Sequence, residues 1–216
     1  MLILIILKYY NIYIYYNMYY FFVCSYGGSG STMLCNYLKN FGYVRHIHSR
    51  NPPDNLTSVS ECPTFELEWF SDFKIHDNNI NNYKVIFLYR NPIDAIYSRF
   101  CTKRWDIHLK NLKIDNSITI NDVIDQNKDL YKIEEFFDNY TKKSKRNYNI
   151  YCVKYEDFFE NISYFNKILK IPDNKNLYPV EKTTYKNLEY KNELMLIYKN
   201  LINKINEMPF IKIIRS

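Results

Sequence analysis

Three of the four glycines in this 216-residue chain lie within four positions, at Gly27, Gly28 and Gly30. The run YYFFVCS (19–25) before them is apolar without polar alternation, which is typical of a strand buried on both faces. After them, apolar residues recur with helical spacing from Ser31 to Phe41. A strand, a glycine turn and a helix in direct succession form a phosphate-binding arrangement, because the N–H groups of the turn and the helix dipole both attract an anion.

The loop departs from the nucleoside-triphosphate signature G-x-x-x-x-G-K-[ST]. Ser25 stands at the first glycine of that signature and Ser31 at its lysine. A glycine turn also occurs without any ligand where a strand and a helix must be joined tightly. The loop by itself therefore leaves phosphate binding and a purely structural turn both open.

The rest of the chain alternates between predicted strands and predicted helices. Strands are expected over Tyr43–His48, Lys84–Tyr89 and Tyr148–Lys154, and helices over Glu156–Leu169 and Asn187–Ile205. This alternation predicts an α/β fold of three layers, with a mostly parallel central sheet and flanking helices. We expect residues 19–216 to form a single domain and residues 1–18 to be an N-terminal extension.

Ligands of such folds bind at the carboxyl ends of the strands, so the loops after residues 25, 76, 90 and 154 are expected to share one edge of the sheet. His46 and His48 lie two positions apart and would share a face of one strand. That spacing supplies half of a metal site without an obvious third ligand, which favours a structural role for the pair.

Composition narrows the possible partners and the compartment. The net charge of +6 comes without a dense run of Lys and Arg, so no nucleic-acid partner is expected. Five cysteines without a CxxC pair indicate a reducing, cytoplasmic setting, with a secretory lumen and an N-terminal anchor as the alternative. The aliphatic part of the N-terminus is only Met1–Leu7, too short for a membrane span, and Met18 offers a second start.

Two segments carry a resemblance to a known family. Tyr26, Ser29, Gly30, Ser31 and Thr32 match a loop of the pattern Y-P-[KR]-S-G-[ST]-T, and the segment Arg90-Asn91-Pro92-x-Asp94 is followed by Ser98 eight positions after the arginine. The chain resembles the sulfotransferases that use 3′-phosphoadenylyl sulfate (PAPS), in which these segments bind the 5′-phosphosulfate and the 3′-phosphate. Gly27 replaces the proline of the loop, and Gly28 replaces its basic residue.

Three shorter segments match the same family in the expected order along the chain. Lys74-Ile75-His76 is similar to its K-T-H segment, Tyr155-Glu156-Asp157 to its Y-E-D segment, and Thr183-Thr184-Tyr185 to a T-S-F segment that touches the nucleotide. Together the matches cover about residues 19 to 190 of the chain. The C-terminal R-K-G loop of the cytosolic members has no counterpart here.

The resemblance implies a P-loop-like nucleotide-binding fold and sulfuryl transfer from PAPS to a hydroxyl or amine, with adenosine 3′,5′-bisphosphate (PAP) as product and without a metal. His76 would be the catalytic base and Lys74 the cation that stabilises the departing phosphate. The nucleotide would be held by Gly27, Gly28, Ser29, Gly30, Ser31, Thr32, Arg90, Ser98, Tyr155, Thr183 and Tyr185. A lysine introduced at Gly28 is expected to raise turnover if that position lacks a catalytic charge.

Other readings stay open beside this one. A nucleotide-binding pseudoenzyme of the same fold, or a nucleoside or nucleotide kinase with a degenerate phosphate loop, would share the glycine turn. The acceptor is equally open between a small molecule, a carbohydrate and a peptidyl tyrosine, and the sequence does not indicate an oligomeric state.

Overall fold

The computed structural model describes residues 19–58, 73–75, 79–101, 109–110, 112–180 and 189–215. Among these residues five strands form one sheet in the order β2-β1-β5-β6-β7. The strands are β1 (Tyr19–Cys24), β2 (Gly42–Ile47), β5 (Tyr83–Tyr89), β6 (Ile150–Lys154) and β7 (Ile211–Ile214). Two further short strands, β3 (Thr57–Ser58) and β4 (Lys74–Ile75), pair in parallel as a separate small sheet.

The sheet is parallel except at one edge. β1 pairs in parallel with both β2 and β5, and β5 pairs in parallel with β6. β7 closes the edge in the antiparallel direction, with Ile214 opposite Ile150. The α/β class and the mostly parallel central sheet are therefore confirmed, and the strand β7 is an addition that the sequence patterns did not predict.

Seven α-helices connect or flank these strands within the described ranges. They are α1 (Ser31–Leu38), α2 (Pro92–Arg99), α3 (Ile120–Asp125), α4 (Ile133–Thr141), α5 (Ile162–Leu169), α6 (Lys191–Ile197) and α7 (Lys199–Glu207). Short 3₁₀ turns occupy Ile80–Asn82 and Lys175–Leu177. None of the described helices is both long and apolar enough to cross a membrane.

Helices pack on both faces of the sheet, because alternate residues of the buried strands point to opposite sides. On β1, Phe21 and Val23 join α1 and α5 in one apolar cluster. Phe22 and Cys24 join α2, α4, α6 and α7 in the other cluster. The buried residues of β1 (Phe21–Cys24) and of β5 (Tyr83 and Val85–Tyr89) are each at most 5% exposed, as expected for strands covered on two faces.

Two predicted helices differ from the structure. The helix expected over Glu156–Leu169 begins only at Ile162, because the preceding residues form turns held by the Asn161 amide, which donates to the Asp157 carbonyl at 2.8 Å. The helix expected over Asn187–Ile205 is two helices that meet at Tyr198. The Tyr198 side chain is fully buried and donates to Asp129 at 2.7 Å, a contact that a helical pattern alone does not reveal.

Candidate functional site

The glycine loop lies at the carboxyl end of β1, as the sequence predicts. Gly27, Gly28 and Gly30 all have positive φ angles, of 88°, 67° and 81°. Side chains with a Cβ rarely adopt this region, so the path of the loop requires glycine at all three positions. Gly30 is the N-terminal cap of α1 and has no side chain to bond the first amides of the helix.

The loop packs tightly against three neighbouring residues. A Cβ on Gly27 would overlap the Arg99 side chain, one on Gly28 would overlap the Ala95 carbonyl on α2, and one on Gly30 would overlap the Tyr155 ring. A lysine at Gly28 would be strained both by the positive φ angle and by this overlap, which argues against the expected gain in turnover. The obstacle at Gly28 is backbone, which cannot turn aside as the end of a flexible side chain can.

The amides of the loop form a concave row of donors. Gly27 N–H donates to Ser25 Oγ at 3.2 Å. Among the described residues, no acceptor takes up the N–H groups of residues 29–32. Unbonded N–H groups at the start of a helix form a binding site for an anion. The loop therefore has the local chemistry that phosphate binding requires.

The hydroxyls of the loop are not equivalent. The Ser29 hydroxyl is fully buried and donates to the Gly27 carbonyl at 3.2 Å, so it stabilises the turn. Ser31 is 5% exposed and lies against His46, whereas Thr32 is exposed. The hydroxyls of Ser31 and Thr32 can therefore turn to a ligand without breaking the turn, whereas that of Ser29 cannot.

Arg90 approaches the loop from the end of β5. Its Nη1 donates to the Gly28 carbonyl at 3.4 Å, and its Nη2 lies 3.7 Å from Asp94 Oδ2. The guanidinium carbon lies 4.6 Å from the centroid of the Tyr155 ring. Arg90 is 6% exposed, and its buried Nε has no hydrogen-bond acceptor among the described residues. Arg90 is thus a buried cation that contacts both the glycine loop and the Tyr155 segment, two motifs that the sequence indicated.

Tyr26 ties the glycine loop to the backbone of Arg90. The Tyr26 hydroxyl accepts a hydrogen bond from Arg90 N–H at 2.8 Å and donates to the Arg90 carbonyl. Tyr26 is fully buried, and this burial raises the pKa of its hydroxyl, which keeps it neutral and able to donate. One side chain therefore fixes the spacing between the ends of β1 and β5.

The segment after Arg90 is held by the Tyr155-Glu156-Asp157 segment. Glu156 Oε1 accepts from Asn91 N–H at 2.7 Å, and burial is the main cause that raises the pKa of this carboxyl. Asn91 in turn caps α2 through Ile93 N–H at 3.0 Å. Ser98 is half-buried on α2, four residues after Asp94 and so on the same helix face. The predicted nucleotide residues of β5 and β6 therefore lie at one edge of the sheet.

Two histidines that the sequence patterns assigned a structural role lie beside the loop. His46 Nε2 is 2.8 Å from Ser31 Oγ, and His48 Nδ1 is 3.1 Å from the Ser25 carbonyl. Their ring centroids are 4.3 Å apart. The signal for this contact was their position at the end of β2, because β2 pairs in parallel with β1 and ends beside the same loop.

A third missed residue is Arg99 on α2. It is 5% exposed and packs against Gly27. Burial lowers the pKa of its guanidinium to about 10, and Arg99 in turn contributes to a lowered pKa of His46. The sequence alone does not indicate this role for Arg99, which reads as one arginine of an amphipathic helix. The role arises because α2 crosses over the loop in the folded chain.

The remaining predicted residues are only partly placed. Lys74 is half-buried on β4 and lines a cavity of about 250 Å³ with Ser49, Asn51, Thr57 and Lys113. No acidic side chain lines this cavity in the part of the chain that the structure describes. His76, Thr183 and Tyr185 lie outside the described residues.

Within the described ranges, no three His, Cys, Asp or Glu side chains cluster closely enough to hold a metal ion. Comparison of the chain with protein-family models, with curated proteins and with solved structures finds no match. The geometry of the site and the sequence motifs are therefore the basis for a function of this chain.

Proposed function

We propose that this chain is a PAPS-dependent sulfotransferase of P-loop-like fold, which moves a sulfuryl group to a hydroxyl or amine acceptor. The observation that carries the proposal is the meeting of Arg90, the glycine loop and the Tyr155 ring at one edge of the sheet. A donor with two phosphate groups and an aromatic base needs separate anion contacts and a flat surface, and these three features supply that chemistry.

Two features of the described residues support binding of the nucleotide: the unbonded amides at the start of α1 and the buried Arg90 Nε. The amides at the start of α1 would bind the 5′-phosphate, while the buried Arg90 Nε, without an acceptor in the described residues, would turn to the 3′-phosphate together with Ser98. Tyr155 would pack near the base. Arg90 would exchange its contact with the Gly28 carbonyl for a shorter, charge-assisted bond to a phosphate oxygen.

The reaction is an in-line displacement at sulfur. The acceptor oxygen or nitrogen forms a bond to sulfur, the bond from sulfur to the 5′-phosphate oxygen breaks, and the electron pair leaves with PAP. His76 would take the acceptor proton, and Lys74 with the loop amides would stabilise the charge that develops on the departing phosphate. The cavity beside Lys74, whose lining is both polar and apolar, is our proposed place for the acceptor.

Nucleotide binding tests the first half of the proposal. Replacement of Arg90 by alanine removes charge-assisted hydrogen bonds worth about 1.5–3 kcal/mol, so calorimetry should show a PAP affinity about 10- to 150-fold weaker. Arg215→Ala removes the same charge from an exposed position and serves as the control. Unchanged affinity in Arg90→Ala would refute the assignment of the 3′-phosphate.

Sulfuryl transfer tests the second half. Labelled sulfate should pass from PAPS to at least one acceptor in a panel of phenols, carbohydrates and tyrosine peptides. The tight contact between Gly28 and Ala95 favours one other candidate, a scaffold that binds the nucleotide without transfer, because the loop holds no side-chain cation of its own at that position. Binding of PAP without transfer to any acceptor would support that candidate. Tight binding of Mg²⁺–ATP in place of PAP would indicate a kinase instead.

A further inference from the structure

A chain of hydrogen bonds runs from the glycine loop to the imidazole of His46. Gly27 N–H donates to Ser25 Oγ at 3.2 Å, and the Ser25 hydroxyl donates to Ser31 Oγ at 3.0 Å. Ser31 Oγ lies 2.8 Å from His46 Nε2. Ser31 Oγ accepts from Ser25, which leaves its own proton available for His46. On a neutral ring protonated at Nδ1, Nε2 accepts that proton.

The surroundings of His46 favour that neutral ring. Desolvation, with a smaller contribution from Arg99, lowers the pKa of His46 to about 4. The groups that face the ring in the described ranges are Arg99 from α2, the Ser31 hydroxyl from α1 and the neighbouring His48 from β2. No carboxylate is among them, so nothing on these elements stabilises an imidazolium while the loop holds no anion.

An anion bound in the loop changes the direction in which the Ser31 hydroxyl must donate its proton. Phosphate and sulfate oxygens only accept hydrogen bonds, so Ser31 at the start of α1 must turn its proton toward the ligand. The lone pairs of Ser31 Oγ and His46 Nε2 would then face each other across 2.8 Å. A proton on His46 Nε2 removes this repulsion. Tautomer exchange in a neutral ring also places a proton there, but only uptake of a second proton adds a positive charge that attracts the anion.

We propose that His46 is a positioning residue which takes up a proton on Nε2 when an anion occupies the glycine loop, so that Ser31 is free to donate to that anion. The inference rests on the proposed function only in that the loop must bind an anion. It assigns a role to a residue outside the sulfotransferase motifs.

The experiment measures how many protons the protein takes up when it binds an anion. Inorganic sulfate and PAP are titrated into the protein by calorimetry at pH 5.5, in two buffers with different ionisation enthalpies. Sulfate does not titrate near this pH, so any uptake belongs to the protein. We expect the wild type to take up at least about half a proton more than His46→Gln, in which the amide always presents an N–H group to Ser31.

Affinity gives a second readout. Between pH 7.5 and 5.5, the PAP affinity of the wild type should rise about tenfold relative to that of His46→Gln, because a proton bound with the ligand favours binding at lower pH. His48→Gln is the matched control, since His48 contacts a backbone carbonyl of the loop and not a hydroxyl. This control should keep the proton uptake of the wild type.

Each outcome decides a different point. Equal proton uptake by the wild type and His46→Gln would overturn the role of His46, even if PAP binds as proposed. Proton-linked binding of sulfate without binding of PAP would keep this inference and refute the proposed nucleotide. A protein that binds neither ligand would refute both.

Discussion

Replacement of Tyr26 by phenylalanine tests how the site is assembled, because it removes one buried oxygen and leaves the ring in place. The Tyr26 hydroxyl bonds both the N–H and the carbonyl of Arg90, and Tyr26 is fully buried. Phenylalanine leaves both backbone groups without this partner in a site closed to water. At about 1–3 kcal/mol for each unsatisfied group, partly relieved by relaxation, the expected loss of unfolding free energy is about 2–4 kcal/mol.

A matched variant separates this bridge from the general effect of a lost hydroxyl. Tyr140 is also fully buried, and its hydroxyl donates to the Ser49 carbonyl at 2.7 Å. Tyr140→Phe removes this bond to a backbone acceptor and should cost about 1–2 kcal/mol. Urea unfolding measures both values, and an unchanged m-value shows that the difference belongs to stability.

The same pair of variants reports on the site. Tyr26→Phe should weaken PAP binding at least about tenfold, since the backbone that directs Arg90 is no longer tied to the loop. Tyr140→Phe should leave PAP affinity unchanged. Equal losses of stability in the two variants, or undiminished PAP binding by Tyr26→Phe, would refute the claim that this hydroxyl sets the spacing of β1 and β5.

Two further predictions concern the loop and its histidine. Gly28→Ala should lose about 2–5 kcal/mol of unfolding free energy, because of the positive φ angle at this position and the overlap with Ala95, and Gly28→Lys should lower PAP binding. Thr32→Ala, at an exposed position, is the control for stability. A functional Gly28→Lys variant would contradict the packing seen here. The unfolded chain protonates His46 near pH 6.5 but the folded chain only near pH 4, so unfolding free energy should fall as pH falls through this window. His46→Gln should flatten that fall in urea titrations, and identical pH profiles would show that His46 does not contribute.

The strand patterns predicted the central sheet well because buried strands leave a local signature. Lys84–Tyr89 was predicted as a strand, and β5 covers Tyr83–Tyr89 with all but Lys84 buried. Cys24 and Cys152 lie within the apolar runs of β1 and β6, and both are fully buried. The strand Ile211–Ile214 was missed because it is a short edge strand with two exposed positions.

The site was predicted less completely than the fold. The glycine loop and Arg90 come together as the motifs indicated, because each follows a strand whose carboxyl end lies at the same edge. His46 and Arg99 were not predicted, since their roles depend on the order of β2 beside β1 and on the crossing of α2. The packing of the Ala95 carbonyl against Gly28 was not predicted either, because a motif compares side chains and contains no information on the backbone packed against them.

The amino-acid sequence by itself determined the features that depend on neighbouring residues. Glycines at 27, 28 and 30 permit the positive φ angles of the loop, and apolar runs specify the buried strands. Only the tertiary structure decided what faces the loop: the Ala95 backbone at Gly28, the Tyr155 ring at Gly30 and the His46 imidazole at Ser31. The physical reason is that backbone conformation is set locally, whereas the field around an anion is set by groups that chain folding brings together from distant positions.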